Sequence, residues 1–275
     1  MRIAFTIIYN GKQHLLHNDF AINMAKNFDY WILVEGAANN GGSTAWCNRH
    51  KGNIHSDDGT VDMIEKLKEI NKNIVHVSNS RKWNSKDEQV NAAITEIKKL
   101  TDKCFLWQVD ADEYWTKNDI ITNEEYLNYF DADAGLVEFD HYVGYGLLAV
   151  GDWGSGVHKR IWKWSGQRFL SHEPPLLENE KRSIVCPEKY KHYAYYFEED
   201  VRFKAEYYNG HESVYSGWKY LRDNIDVISF PVHISVLFGK KGIGLSKTKI
   251  IRTNEKEKNQ TTAEKLQKQT MRVVV

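Results

Sequence analysis

Hydrophobic and polar positions alternate between two patterns along the first half of the chain. "RIAFTIIY" is a near-continuous apolar run, as expected of a strand buried on both faces. "KQHLLHNDFAINMAKNF" instead sets Leu15, Leu16, Phe20, Ile22 and Met24 at helical spacing. "YWILVEGA" predicts a second strand, and a long polar loop, "ANNGGSTAWCNRHKGNIHSDDG", follows it. "TVDMIEKLKEI" predicts a helix capped by Asp57 or Asp58, "NIVHVSNS" a third strand and "SKDEQVNAAITEIKKL" a further helix. "FLWQVDADEYW" predicts a fourth strand. This β-α-β-α-β-α-β series implies an α/β fold, a mainly parallel central sheet with helices on both faces. Ligands of such sheets gather at the carboxyl ends of the strands. Glu35 and the run Asp110-Ala111-Asp112-Glu113 therefore fall on one rim.

The pattern changes after a helical "NDIITNEEYLNYF". "AGLVEFDHYVGYGLLAVG" and "HKRIWKWSGQRFL" predict longer strands joined by glycine-containing turns, and "KHYAYYFEEDVRFKAEYYNG" predicts a largely helical aromatic segment. No Pro-, Gly- or Ser-rich linker divides the chain, so residues 1–245 are expected to form one domain with two parts, 1–113 and 114–245. From Ser246 onward the chain has no sustained apolar face and carries eight Lys or Arg against three Asp or Glu. A solvated helix or disordered tail is expected there, with a basic foot on a membrane surface or partner as the alternative.

Composition narrows the function classes. Lys plus Arg equals Asp plus Glu at 37 each, so no basic excess points to nucleic acid. Much of the 9 Trp and 15 Tyr must lie in the core, and a surplus of exposed rings would suit stacking on sugars or bases. Cys47, Cys104 and Cys186 are odd in number and far apart, which fits a reducing compartment and a soluble cytoplasmic protein. The first apolar run breaks at Asn10-Gly11, too short for a membrane span and without a small-residue cleavage site.

The acids after the fourth strand carry the chemistry. Adjacent carboxylates repel unless a positive group sits between them. Asp110-x-Asp112 suits Mg²⁺ or Mn²⁺, hard cations that take one or two carboxylates and complete their shell with phosphate oxygens. The bland alternative is a strand-to-helix turn with capping acids.

With its apolar strand, "LWQVDADEYW" resembles the Asp-x-Asp motif of GT-A fold glycosyltransferases, family-2-like members in particular. The resemblance extends in order through "QVNAAI", "KRIWKW", "SHEPP" and "KHYAYYFEEDVRFKAEYYNG", from about residue 2 to about residue 210. It departs at Val90, where such enzymes often carry Arg, leaving Lys86 or Arg81 as substitutes, and at "GAANNGG", where an Asp-Gly-Ser turn is usual. The resemblance implies a GT-A domain with a nucleotide-sugar half and an acceptor half, and a UDP- or GDP-sugar donor. Thr6, Glu35, Lys86, Asn91, Asp110 and Arg160 would bind the donor. Asp110, Asp112 and His192 would hold Mn²⁺ or Mg²⁺, with His233 as a rival third ligand. Glu173, stiffened by the two prolines behind it, is the candidate base toward the hydroxyl of a glycan or other acceptor, with inversion. Two alternatives stand beside this reading: a nucleotidyltransferase with the same acid-held metal, and a non-catalytic carbohydrate-binding protein on a transferase scaffold.

Overall fold

The structure, a computed structural model, describes residues 1–153, 156–242 and 247–253. In chain order its elements are β1 (Arg2–Ile8), α1 (Lys12–Leu16), α2 (Phe20–Asn27), β2 (Tyr30–Glu35), α3 (Thr60–Ile70), β3 (Ile74–Val77), α4 (Lys86–Leu100), β4 (Cys104–Gln108), β5 (Glu113–Tyr114) and α5 (Lys117–Tyr129). The second half adds β6 (Ala134–Gly144), β7 (Leu147–Val150), β8 (Val157–Trp164), β9 (Phe169–Ser171), β10 (Leu176–Leu177), β11 (Ser183–Val185), β12 (Tyr190–His192), α6 (Glu198–Tyr207), α7 (Val214–Asp223), β13 (Val232–His233), α8 (Ser235–Gly242) and β14 (Lys249–Arg252).

The α/β class expected from the pattern is what the chain forms. One sheet runs β13-β14-β7-β6-β8-β4-β1-β2-β3. Its β4-β1-β2-β3 portion is parallel, with Ile8 beside Glu35 and Phe5 beside Gln108. β8, β6, β7, β14 and β13 extend it with antiparallel pairings. The apolar strands are buried on both sides. Phe20, Met24, Ile64, Leu67, Ile120 and Leu127 of α2, α3 and α5 cover one face, and Val90, Ala93, Ile94 and Ile97 of α4 cover the other. A third cluster joins β6, β7 and β14 to α6, α7 and α8 through Val143, Val201, Trp218, Leu237 and Ile250.

Four local expectations are corrected. The stretch read as one helix is two, because Asn18 and Asp19 take φ of 50° and 57° between α1 and α2. Asn and Asp tolerate that left-handed conformation, which ends a helix. The cap of α3 is Gly59, while Asp58 Oδ1 accepts from the Thr60 backbone N–H at 2.9 Å. The fourth strand stops at Gln108 and a turn carries Asp110–Asp112. In the segment read as largely helical, residues 190–192 form a strand before α6.

Two short strands then set the site. β12 lies parallel to β6, with His192 beside His141, and antiparallel to β5, with His192 beside Glu113. Residues 249–252, assigned to the polar tail by sequence, are a sheet strand in which Ile250 is fully buried. Residues 254–275 of that tail lie outside the described residues. Among the described residues no helix is long and apolar enough to cross a membrane.

Candidate active site

A cavity of about 1020 Å³ opens at the carboxyl edge of the parallel strands. The chain leaving β1 (Tyr9 to Gly11), β2 (Gly36 to Ala38) and β4 (Asp110 to Asp112) lines it, as the topology of open α/β sheets requires. β8 brings Arg160, the β9–β10 connection brings His172 and Glu173, β12 brings His192 and α6 brings Lys204.

The carboxylates of the acidic turn are each met by a cation of the chain. Asp110 Oδ2 accepts from Arg160 Nη2 at 2.8 Å. Glu113, buried beneath the turn, accepts from Arg160 Nε at 2.8 Å and from Trp115 Nε1 at 3.2 Å. Asp112 Oδ2 accepts from Lys204 Nζ at 3.2 Å and lies 3.6 Å from His192 Nε2. Burial alone would push the Asp112 carboxyl up, but Lys204 and His192 hold it well below the usual carboxylate range. Arg160 likewise outweighs burial at Asp110 and lowers it. At Glu113 burial prevails over Arg160, and the carboxyl is pushed up to about 8.

Lys204 is fixed by more than one partner. Its ammonium also donates to the Ala194 carbonyl at 2.5 Å and stands 5.1 Å from the centre of the Tyr195 ring. Lys86, at the start of α4, lies 5.9 Å from the Tyr208 ring centre and forms no ion pair with a carboxylate among the described residues. Buried histidine rings line the same space. Burial lowers His172 to about 4 and His158 to about 3, with Lys86 and Arg160 respectively adding to it. The buried ring nitrogens of His141 and Nδ1 of His192 have no hydrogen-bond partner among the described residues.

Six of the residues singled out by sequence meet at this cavity: Lys86, Asp110, Asp112, Arg160, Glu173 and His192. Five others lie elsewhere. Thr6 is fully buried, donating to the Val109 carbonyl at 2.6 Å and accepting from Trp31 Nε1 at 2.9 Å. Glu35 is also fully buried and turned away from the cavity lining. It accepts from Ser56 N–H and Oγ at 2.7 and 2.9 Å and pairs with His55 Nδ1 at 2.9 Å, so it pins the loop before α3. Asn91 bonds both N–H and C=O of Phe169 and anchors β9 to α4. His233 bonds Ser235 at the turn into α8. Arg81, the proposed substitute for a donor contact, pairs with Glu88 on the surface.

Sequence reasoning passed over Lys204, Gln108 and His172. For Lys204 a signal existed: it shares the inner stripe of α6 with Val201 and Tyr207, three residues either side, where a solvated lysine has no business.

Of the expected metal ligands, Asp110 and Asp112 are each paired with a cation of the chain. Among the described residues no three His, Cys, Asp or Glu side chains converge as metal ligands would. Asp110 faces Arg160, while the carboxylate shared by Lys204 and His192 belongs to Asp112.

No protein-family model matches the chain, and no curated protein gives a significant match. Solved structures with a similar chain course include TarS 1–349 from S. aureus, 16% identical, with a TM-score of 0.48 and coverage of 82% of this chain and 73% of that one. The same protein in complex with UDP-GlcNAc aligns over 74% of this chain and 66% of that one, again with a TM-score of 0.48. A 4-diphosphocytidyl-2C-methyl-D-erythritol synthase aligns at 10% identity over 59% of this chain and 74% of that one, with a TM-score of 0.33. Likenesses of this size are too low to carry function from one protein to another.

Proposed function

We propose that the protein is a glycosyltransferase of the GT-A type, moving a sugar from a UDP- or GDP-sugar to a hydroxyl acceptor such as a glycan. The observation that supports this reading is one cavity, at the carboxyl edge of the parallel strands, in which Lys86, Arg160 and Lys204 stand among Asp110, Asp112 and Glu173. Anionic diphosphate is matched by the cations, and sugar hydroxyls by the carboxylates. Residues 1–113 would contribute the donor side and 114–245 the acceptor side. The free and buried cysteines Cys47, Cys104 and Cys186 fit a reducing setting such as the cytoplasm.

In this reading the acceptor oxygen attacks the anomeric carbon from the face opposite the nucleotide, which gives inversion. The bond from that carbon to the diphosphate oxygen breaks, and its electron pair leaves with the diphosphate. The Glu173 carboxylate takes the acceptor proton. Glu173 sits at the cavity wall, its backbone N–H donating to Ser43 Oγ at 3.3 Å.

The test is to incubate the protein with UDP- and GDP-sugars and follow nucleotide release, with and without candidate glycans, beside calorimetric binding of UDP and GDP. One nucleotide is expected to bind and its sugar conjugate to be turned over. Glu173→Gln is expected to bind that nucleotide as the wild type does and to lose at least about a hundredfold in turnover, the scale of a general base. Folded protein that binds neither nucleotide would remove this reading.

A further inference from the structure

Two clustered, partly buried carboxylates need positive charge beside them, and the chain supplies it. Asp112 meets Lys204 at 3.2 Å and Asp110 meets Arg160 at 2.8 Å. A divalent ion taking Asp112 Oδ2 would displace an ammonium held by the Ala194 carbonyl and the Tyr195 face, leaving that ammonium without its counter-ion. Removing one member of a buried pair in this way is strongly unfavourable. Lys204 also keeps capacity to spare: an ammonium has three donors, and two are engaged by protein oxygens. Arg160 likewise reaches the cavity while resting on Asp110 and Glu113.

We propose that Lys204 and Arg160, seated on Asp112 and Asp110, take the place of a divalent metal and receive the diphosphate of the nucleotide directly. This rests on the nucleotide-sugar reading above and departs from the metal dependence that the sequence resemblance implies. The Asp-x-Asp turn then serves to hold two cations at a fixed spacing. Lys86, a third cation on the same wall, adds to the attraction for phosphate. As the diphosphate leaves, the charge gathering on its oxygen is met by preorganised N–H donors.

The experiment is calorimetric titration of UDP, GDP and uridine into wild type, Lys204→Met and Lys204→Arg, in EDTA and in Mn²⁺, with circular dichroism to check folding. Binding of Mn²⁺ alone is followed by its electron paramagnetic resonance signal. A nucleoside diphosphate is expected to bind wild type in EDTA within about twofold of its affinity in Mn²⁺. Lys204→Met is expected to weaken that nucleotide at least tenfold, with Lys204→Arg retaining part of the affinity. Uridine, which lacks the diphosphate, is expected to be unaffected by either substitution. Binding that requires Mn²⁺ would overturn this inference and leave the transferase reading standing. A folded Lys204→Met protein with wild-type nucleotide affinity would also overturn it. If no nucleotide bound under either condition, both would fall together.

Discussion

Of the three acids that sequence places side by side, Glu113 does something different from the other two. Asp110 and Asp112 border the cavity, whereas Glu113 is 1% exposed and joins Arg160 to Trp115 beneath it. Its function is to hold the guanidinium on which Asp110 rests. Glu113→Ala would leave the buried Arg160 Nε–H and Trp115 Nε1–H without an acceptor, a change that typically costs about 1–3 kcal/mol. Unfolding in urea is expected to show a loss of that order, with Glu113→Gln losing less because its amide oxygen still accepts from Nε. A loss under about 1 kcal/mol for Glu113→Ala would show that Arg160 is held by something else. Sequence spacing could not separate the three acids, because it is the short turn after Gln108 that sends alternate side chains to different surroundings.

At the scale of elements, the first turn of α4 ties together two segments of the cavity wall. Ser85 caps the helix by accepting from Glu88 N–H at 3.2 Å, and Asp87 reaches outward from that turn. Asp87 accepts from Ser43 N–H at 2.9 Å, from Ser43 Oγ at 2.6 Å and from His172 N–H at 2.6 Å. The fit requires glycine at 42, where φ is +56° and a Cβ would fall 1.8 Å from Asp87 Oδ2. Asp87→Ala is expected to destabilise the fold by about 1–2 kcal/mol, as loss of a partly buried acceptor shared by three donors does. It should also lower turnover more than nucleotide affinity, since His172 precedes Glu173. Limited proteolysis is expected to cut first within residues 42–47 in the variant; an unchanged cleavage pattern would argue against the strut. The helices and parallel strands around this junction were legible because each carries its own period over four or more residues. β5 and β12, with two and three residues, carry none, so the pairing that brings His192 to Asp112 was not legible. The same holds for Glu35 and Asn91. Their residue type suited a donor site, but hydrogen bonds from neighbouring loops had already claimed them. A polar residue at a strand end reads alike in sequence whether it faces a ligand or a loop.

Across the whole molecule, several histidines are kept neutral by burial, and their sum sets the response to acid. Burial lowers His17 to about 4, with His14 and Lys191 adding to it; His172 also falls to about 4 and His158 to about 3. In the unfolded chain each would titrate near 6.5. The unfolded state therefore binds protons in a range where the folded state does not, so stability is full above about pH 6.5 and falls as pH drops toward 4. Each group contributes at most about 1.4 kcal/mol per pH unit. Glu113, pushed up to about 8, acts in the opposite sense between pH 8 and 4.5, since the folded state holds its proton more tightly. His141 and His50, also lowered by burial, act in the same sense, so the histidines together outweigh Glu113 and stability falls between pH 6.5 and 4.5. His17 lies outside the cavity lining, packed among Tyr193, Tyr196 and Phe197, so it can be replaced without touching the proposed nucleotide site. His17→Phe is expected to keep the aromatic packing and flatten the slope by about 1 kcal/mol per pH unit, read from urea unfolding at pH 5, 6 and 7. A slope that His17→Phe leaves unchanged would mean that this histidine already carries its proton in the folded chain. The acid response would then belong to the cavity histidines alone, and nucleotide bound beside them would shift it.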